Sequence, residues 1–141
     1  MEKVKVLFLC THNVARSQMA EGLFRAAVGD RFEVFSAGTE PREIDLYVKK
    51  VMAEVGIGLS EQRSKSVVEF LGKMTVGYLI IVCEKIEENC PITFPGFRYR
   101  LYWPFEDPVA FVGSDEEKLA KFREVRDQIA ARLKLWLREL D

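Results

Sequence analysis

Apolar residues recur along this chain in two rhythms, and the switches between them predict the order of its elements. Residues 3–9 alternate and then run into Val6, Leu7, Phe8 and Leu9, the pattern of a strand covered on both faces. From Arg16 to about Val28 the spacing becomes three and four. Met19, Ala20, Leu23, Phe24 and Ala27 form one stripe and Gly29-Asp30 a stop, which predicts a helix. Residues 32–36 predict a second strand, closed by Gly38. Ile44, Leu46, Val48, Val51, Met52 and Val55 then predict a second amphipathic helix ending at Gly56. Residues 78–82 are the most apolar stretch, hence a central strand, and residues 99–103 are a more polar strand suited to an edge. Ser114, three residues before Glu117, has the spacing of a capping box. After it, Leu119, Phe122, Val125, Ile129, Leu133, Trp136 and Leu140 predict a long final helix laid on the sheet.

Strands alternating with helical segments predict an α/β fold, with a four-stranded parallel sheet and helices on both faces in three layers. In such sheets ligands bind beyond the carboxyl ends of the strands. Cys10 ends the first strand, Cys83 follows the third and Asp107 lies just past the fourth, so all three should open on one edge.

Composition narrows the reading. At 141 residues the chain suits one domain over 1–141. Lys plus Arg number 21 against 22 Asp plus Glu, so no basic footprint points to nucleic acid and any anion site must be local. No apolar run reaches the length of a membrane span or of a signal-peptide core, which makes a cytoplasmic home the default expectation. Three cysteines, an odd number, argue against a structural disulfide framework. Cys10, Cys83 and Cys90 are reactive, metal-binding or merely buried.

The chemistry concentrates in Cys10-Thr11-His12-Asn13-Val14-Ala15-Arg16-Ser17, between a strand and a helix start. A chain turning from strand into helix points backbone N–H groups inward, and with the helix dipole these favour an oxyanion. Arg16 supplies a planar fork that matches two oxygens of a tetrahedral anion, and Ser17 could donate to a thiolate. Cys10 is therefore expected to ionise easily, below the free thiol value of about 8.5 and toward roughly 3.5–7.5. The alternative is a small buried Cys beside a surface Arg. His12, the only histidine, reads as a loop-tip residue; Cys10, His12, Cys83 and Cys90 lack the close paired spacing of a structural zinc site, so no metal or cofactor is expected.

The Cys-x5-Arg-Ser pattern after an N-terminal strand, followed by Gln18-Met19-Ala20-Glu21-Gly22, resembles the low-molecular-weight protein tyrosine phosphatases. It is closer still to the thioredoxin-coupled arsenate reductases that share their flavodoxin-like fold. The resemblance implies Cys10 as nucleophile, with residues 11–16 (Thr11, His12, Asn13, Val14, Ala15 and Arg16) holding an arsenate- or phosphate-like oxyanion. Cys83 and Cys90 would be the second and third redox thiols of a relay that a thioredoxin-like reductant resets. Asp107, before Pro108, would be the general acid. The phosphatases do not need the Cys83 and Cys90 pair, and they usually carry an aromatic residue after this Asp-Pro, where Val109 and Ala110 stand here. His12, Val14 and Ala15 also replace the Gly, small polar and Cys residues common in the loop. A phosphatase, or a noncatalytic oxyanion-binding or redox-sensing protein, are the rival readings.

Asn13, Glu21 and Ser36 match positions that in some reductases shape the loop around a potassium ion. The fourth partner there is an Asp, and here the position holds Lys65, which would either replace the cation or lie on the surface beside Arg63. Between the two later cysteines, Glu84, Glu87 and Glu88 should raise thiol pKa values by like-charge repulsion. A helix across that stretch would separate the two Cα atoms by about 10 Å. A disulfide needs roughly 4.4–6.8 Å, so oxidation would have to unwind it.

Overall fold

The computed structural model describes residues 3–87, 90, 91 and 93–140. Four strands, β1 (Val4–Cys10), β2 (Phe32–Gly38), β3 (Val76–Ile81) and β4 (Phe97–Tyr102), form one sheet in the order β2-β1-β3-β4, with every pairing parallel. Three α-helices join them: α1 (Arg16–Val28), α2 (Leu46–Glu54) and α3 (Asp115–Leu140). The α/β architecture with a four-stranded parallel sheet is the expected one. The strands differ from the sequence reading by one or two residues at their ends.

Burial follows each strand's place. In β1, central in the sheet, Val6 to Leu9 have no exposed surface, whereas β4 at the edge is mostly exposed, as its polar sequence required. Alternate residues of a strand face opposite sides. Phe8 meets Phe24 of α1 edge-on at 5.9 Å, and Tyr78 meets Trp136 of α3 at 4.9 Å. On the other side Phe35 packs against Phe70, which follows a 3-10 turn at Val67–Glu69. Phe24, Phe32, Trp103 and Trp136 join in one aromatic cluster that fixes α1 and α3 to the sheet.

Helix ends obey the capping chemistry. Ser114 Oγ accepts from the Glu117 N–H at 3.2 Å while Glu117 Oε1 accepts from the Ser114 N–H at 3.0 Å, the reciprocal box that the spacing predicted. Asp45 caps α2 by accepting from the Tyr47 N–H. The apolar stripes need two corrections. In α1, Ala27 is exposed and Val28 takes the core position four residues after Phe24. In α2 only Val48, Val51 and Met52 are buried; Leu46 lies in the first turn facing water. α2 is tied to α3 by Glu54, which pairs with Arg123 at 2.7 Å and Arg126 at 2.9 Å. No described helix is long and apolar enough to cross a membrane.

Candidate functional site

Residues 10–15 leave β1 and wrap into α1, and their carbonyls are held outward by the segment that follows β2. The N–H groups of Thr39, Glu40, Arg42 and Asp45 donate to the carbonyls of Cys10, Thr11, His12 and Val14 respectively. In a trans peptide the N–H opposes the carbonyl, so fixing these carbonyls outward turns the next residue's N–H inward. Asn13 shows the result: its N–H donates to Cys10 Sγ at 3.1 Å. α1 begins without a side-chain cap, since Ala15 stands at that position, and its open N-terminus faces the loop.

Asn13 is the keystone. It is the only non-glycine residue with positive φ among the described residues, at 57°, a conformation asparagine tolerates. Its Nδ2 donates to Ser17 Oγ at 2.7 Å and Ser36 Oγ at 3.0 Å; its Oδ1 accepts from Gln18 Nε2 at 2.9 Å and the Lys65 N–H at 2.8 Å. Ser17 Oγ lies 2.9 Å from Cys10 Sγ. Because Asn13 already donates to that hydroxyl, the Ser17 proton is free to point at the sulfur. Ser36 in turn donates to Glu21. Gly38 explains the tight join between β2 and the loop, since a Cβ there would lie 2.5 Å from the Thr11 carbonyl oxygen.

Lys65 is not a surface residue. Its ammonium donates to the Arg63 carbonyl at 2.6 Å and lies 3.4 Å from Glu21 Oε1 and 3.5 Å from Ser36 Oγ, with 11% of the side chain exposed. A potassium ion beside Glu21 and Ser36 would meet that ammonium, so the residues present do not fit the ion. Among the described residues no His, Cys, Asp and Glu cluster is suited to a metal.

Cys83 and Cys90 form a disulfide with Cα atoms 6.0 Å apart. Among the described residues of this segment the Glu87 N–H donates to the Glu84 carbonyl and the Cys90 N–H to the Glu87 carbonyl, and none of them is helical in this state. Cys83 leaves the sheet at the same edge as Cys10 because β3 pairs with β1, and the Val82 N–H donates to the Leu9 carbonyl at 3.1 Å. The disulfide leaves Cys10 as the free thiol of the three.

Asp107 follows β4 at the same edge. It caps the 3-10 turn Pro108–Ala110 by accepting from the Val109 N–H at 3.0 Å, and its other oxygen lies 3.8 Å from Arg16. Asp107 thus caps a turn and also lines the cleft that holds Arg16. Cys10, His12, Arg16, Arg42, Glu43 and Asp107 line a cleft of about 200 Å³, to which Val14 and Ala15 also contribute. Thr11 is buried and its hydroxyl has no hydrogen-bond partner among the described residues.

Two features depart from the sequence reading. Burial pushes the Cys10 thiol up, and the Ser17 hydroxyl, the Arg16 charge and the N–H groups of Asn13 and Ser17 only partly oppose it. The expectation of an easily ionised thiol is thus not met in this state, because Cys10 is 3% exposed and the cost of burying its charge outweighs the pull of Arg16. The guanidinium gives Nη1 and Nη2 to the two carboxylate oxygens of Glu87 at 2.5 and 2.6 Å, and Nη1 also donates to the Phe105 carbonyl at 2.9 Å. Glu87 turns to Arg16, and Glu88 lies outside the described residues. The residues missed from sequence are Glu87, Gln18 and Gln62, the last of which donates to Gln18 Oε1 at 2.8 Å. Gln18 stood inside the recognised motif, so its proximity to Asn13 was the available signal.

A parallel α/β sheet whose first strand delivers a cysteine into a Cys-x5-Arg loop, with an Asp beyond the last strand, defines a phosphatase-type oxyanion domain. The chain belongs to the low molecular weight phosphotyrosine protein phosphatase family, which it matches over residues 5–141. It is 42% identical over 135 residues to the arsenate reductase of Halalkalibacterium halodurans, covering 95% of both chains, and 40% identical over 134 residues to that of Bacillus subtilis, with the same coverage. A solved arsenate reductase in its phosphate-binding state superposes with a TM-score of 0.78 at 29% identity, covering 98% of this chain and 99% of that one.

Proposed function

We propose that this chain reduces arsenate to arsenite by a relay of its three thiols. The observation that carries the reading is the Cys83–Cys90 disulfide at the sheet edge that also holds Cys10 and Arg16. Its curated relatives named as arsenate reductases support it.

Arg16 and the inward N–H groups of residues 11–16 hold the oxyanion. The Cys10 thiolate adds to arsenic, and Asp107 protonates the departing oxygen, which leaves as water. The Cys83 thiolate then attacks the Cys10 sulfur; the sulfur–arsenic bond breaks, its electron pair stays on arsenic, and arsenite departs. Attack of the Cys90 thiolate on Cys83 frees Cys10 and leaves the Cys83–Cys90 disulfide. A thioredoxin-like dithiol returns two electrons. Such a cycle belongs in a reducing compartment, the cytoplasm. Asn13, Glu21, Ser36 and Lys65 support the loop, and Ser17 steadies the thiolate.

Cys10, Arg16 and Asp107 stand together without help from Cys83 or Cys90, which favours phosphate-ester hydrolysis as a side activity. Steady-state arsenite production with thioredoxin and its reductase, compared with aryl phosphate hydrolysis on the same preparation, tests the reading. Sustained arsenite formation is expected. Ester hydrolysis without arsenite would give the chain to the phosphatases, and binding without turnover to the noncatalytic class.

A further inference from the structure

We infer that Glu87 is an internal substitute for the oxyanion, placed in the Arg16 fork when the Cys83–Cys90 disulfide forms and withdrawn when it is reduced. The inference rests on the oxyanion role of the Cys10 loop proposed above. It concerns the oxidised end of the cycle, where Cys83 and Cys90 are spent as a disulfide and Cys10 is the thiol left.

The geometry is that of a bound anion. A carboxylate presents two oxygens on one edge, as a tetrahedral oxyanion does, and Glu87 uses both on the two terminal nitrogens of Arg16. Its Oε2 also accepts from the Glu84 N–H at 2.7 Å, so the contact is cross-braced within the segment. Arg16 is 7% exposed and Glu87 22%, so water competes weakly. Burial pushes the Glu87 carboxyl up, but Arg16, the Glu84 N–H and His12 outweigh it and hold it below the ordinary value, which keeps it charged at neutral pH. With Phe105 and Asp107 also on the guanidinium, no terminal Arg16 nitrogen is left without an acceptor nearby.

The link to redox state is geometric. Glu87 lies inside the loop that the disulfide closes, and its N–H and carbonyl make the two turns that let Cys83 and Cys90 reach 6.0 Å. Opening the disulfide removes the constraint that holds those turns and so the carboxylate's approach to Arg16. The spent enzyme would then exclude oxyanion until it is reduced. Substrate cannot be trapped on a form in which Cys83 and Cys90 are spent, and reduction and site opening become one event.

Inorganic phosphate is the probe. Its affinity is measured by calorimetry for the native protein, Glu87→Gln and Glu87→Ala, each fully reduced and each with the Cys83–Cys90 disulfide confirmed by peptide mass, and with melting curves as a check on folding. The reduced native protein should bind phosphate, and the oxidised native protein at least about tenfold more weakly, as expected for competition by a tethered anion. Both variants should bind phosphate nearly equally in the two redox states. Equal affinity of the oxidised and reduced native protein, or an oxidised-state loss that persists in both variants, overturns the role of Glu87 and leaves the oxyanion loop standing. Absence of phosphate binding by the reduced native protein overturns the loop reading itself, and this inference with it. A merely structural Glu87 would shift the melting temperature without changing the ratio between the two states.

Discussion

The Cys10 loop and the Cys83–Cys90 segment face the same edge of the sheet but are built in opposite ways. In the loop, carbonyls are tied to residues 39–45, and Asn13 alone joins Ser17, Gln18, Ser36 and Lys65. Little can move without breaking several buried bonds. Among the described residues, the later segment has two turn hydrogen bonds, a Lys85 N–H bond to the Tyr102 hydroxyl, an exposed Ile86 and its disulfide, and it is attached to the loop through the Glu87 carboxylate. One region is shaped to recognise a fixed tetrahedral geometry. In the proposed relay the other has to carry a sulfur from one partner to another, which rigidity would prevent.

Removing thiols should break the comparison most severely. Cys10→Ser should make no arsenite, because the recognition loop loses its nucleophile. Cys90→Ser should permit about one turnover and accumulate a Cys10–Cys83 disulfide, whereas Cys83→Ser should stall at the Cys10 adduct. Aryl phosphate hydrolysis, where present, should survive both of the latter changes. Peptide mapping after a single turnover reads each arrest point, and sustained arsenate reduction by Cys83→Ser would exclude the relay.

Next in size is Arg16→Lys, which keeps the charge but loses the fork. Turnover should fall by about 10²–10³, the scale seen when one oriented donor to a developing anion is removed. A near-native rate for this variant in steady-state assays would show that the fork does not hold substrate.

Stability should separate the two regions as well. Asn13→Ala strands buried partners on four residues and should cost about 2–4 kcal/mol. Ile86→Ala in the later segment, where the side chain is 90% exposed, should stay within about 0.5 kcal/mol. Urea unfolding of both variants measures the contrast, and similar losses would erase it. Cys10 adds a pH signature. Its folded-state pKa is raised, chiefly by burial, so the native state retains the proton longer than the unfolded chain. Its contribution is fully present below the unfolded value of about 8.5. Above that value the unfolded thiol ionises first, and stability should fall by up to about 1.4 kcal/mol per pH unit. Cys10→Ser should remove that slope between its unfolded and folded values.

The regular elements were legible because apolar spacing reports burial directly, as in β1 and α3, and because the capping box at Ser114 has a local signature. Ala27 and Leu46 were misplaced since a stripe read from spacing cannot show where a neighbouring helix stops covering it. Cys10, Arg16, Ser17 and Asp107 were legible as a group from the strand-loop-helix grammar and the sheet edge. Glu87 was not, because its partner lies 71 residues away and its position depends on a disulfide that spacing alone does not fix. The thiol's pKa was misjudged for a related reason: loop amides and a nearby Arg lower it, but the depth of the sulfur is a tertiary property.

The smallest expected effect is an absence of one, and it sharpens what holds the rigid region together. Glu21 brings a buried carboxylate under the loop, with Arg25 at 2.6 Å on one oxygen and Ser36 and the Lys65 ammonium at the other. Burial pushes the Lys65 pKa down and Glu21 only partly opposes it, as for a cation held in a polar pocket and not in water. We propose that this tethered ammonium takes the place that a monovalent ion holds in some reductases. Exchanging potassium for sodium at fixed ionic strength should therefore leave arsenate turnover unchanged, because screening is the same in both salts. Lys65→Asp removes the tethered cation and adds an anion beside Glu21, so that variant should lose stability in sodium and recover activity as potassium is raised. Strong potassium activation of the native protein would show that Lys65 does not fill the position, and the rigidity of the loop would then need an ion that its own residues do not supply.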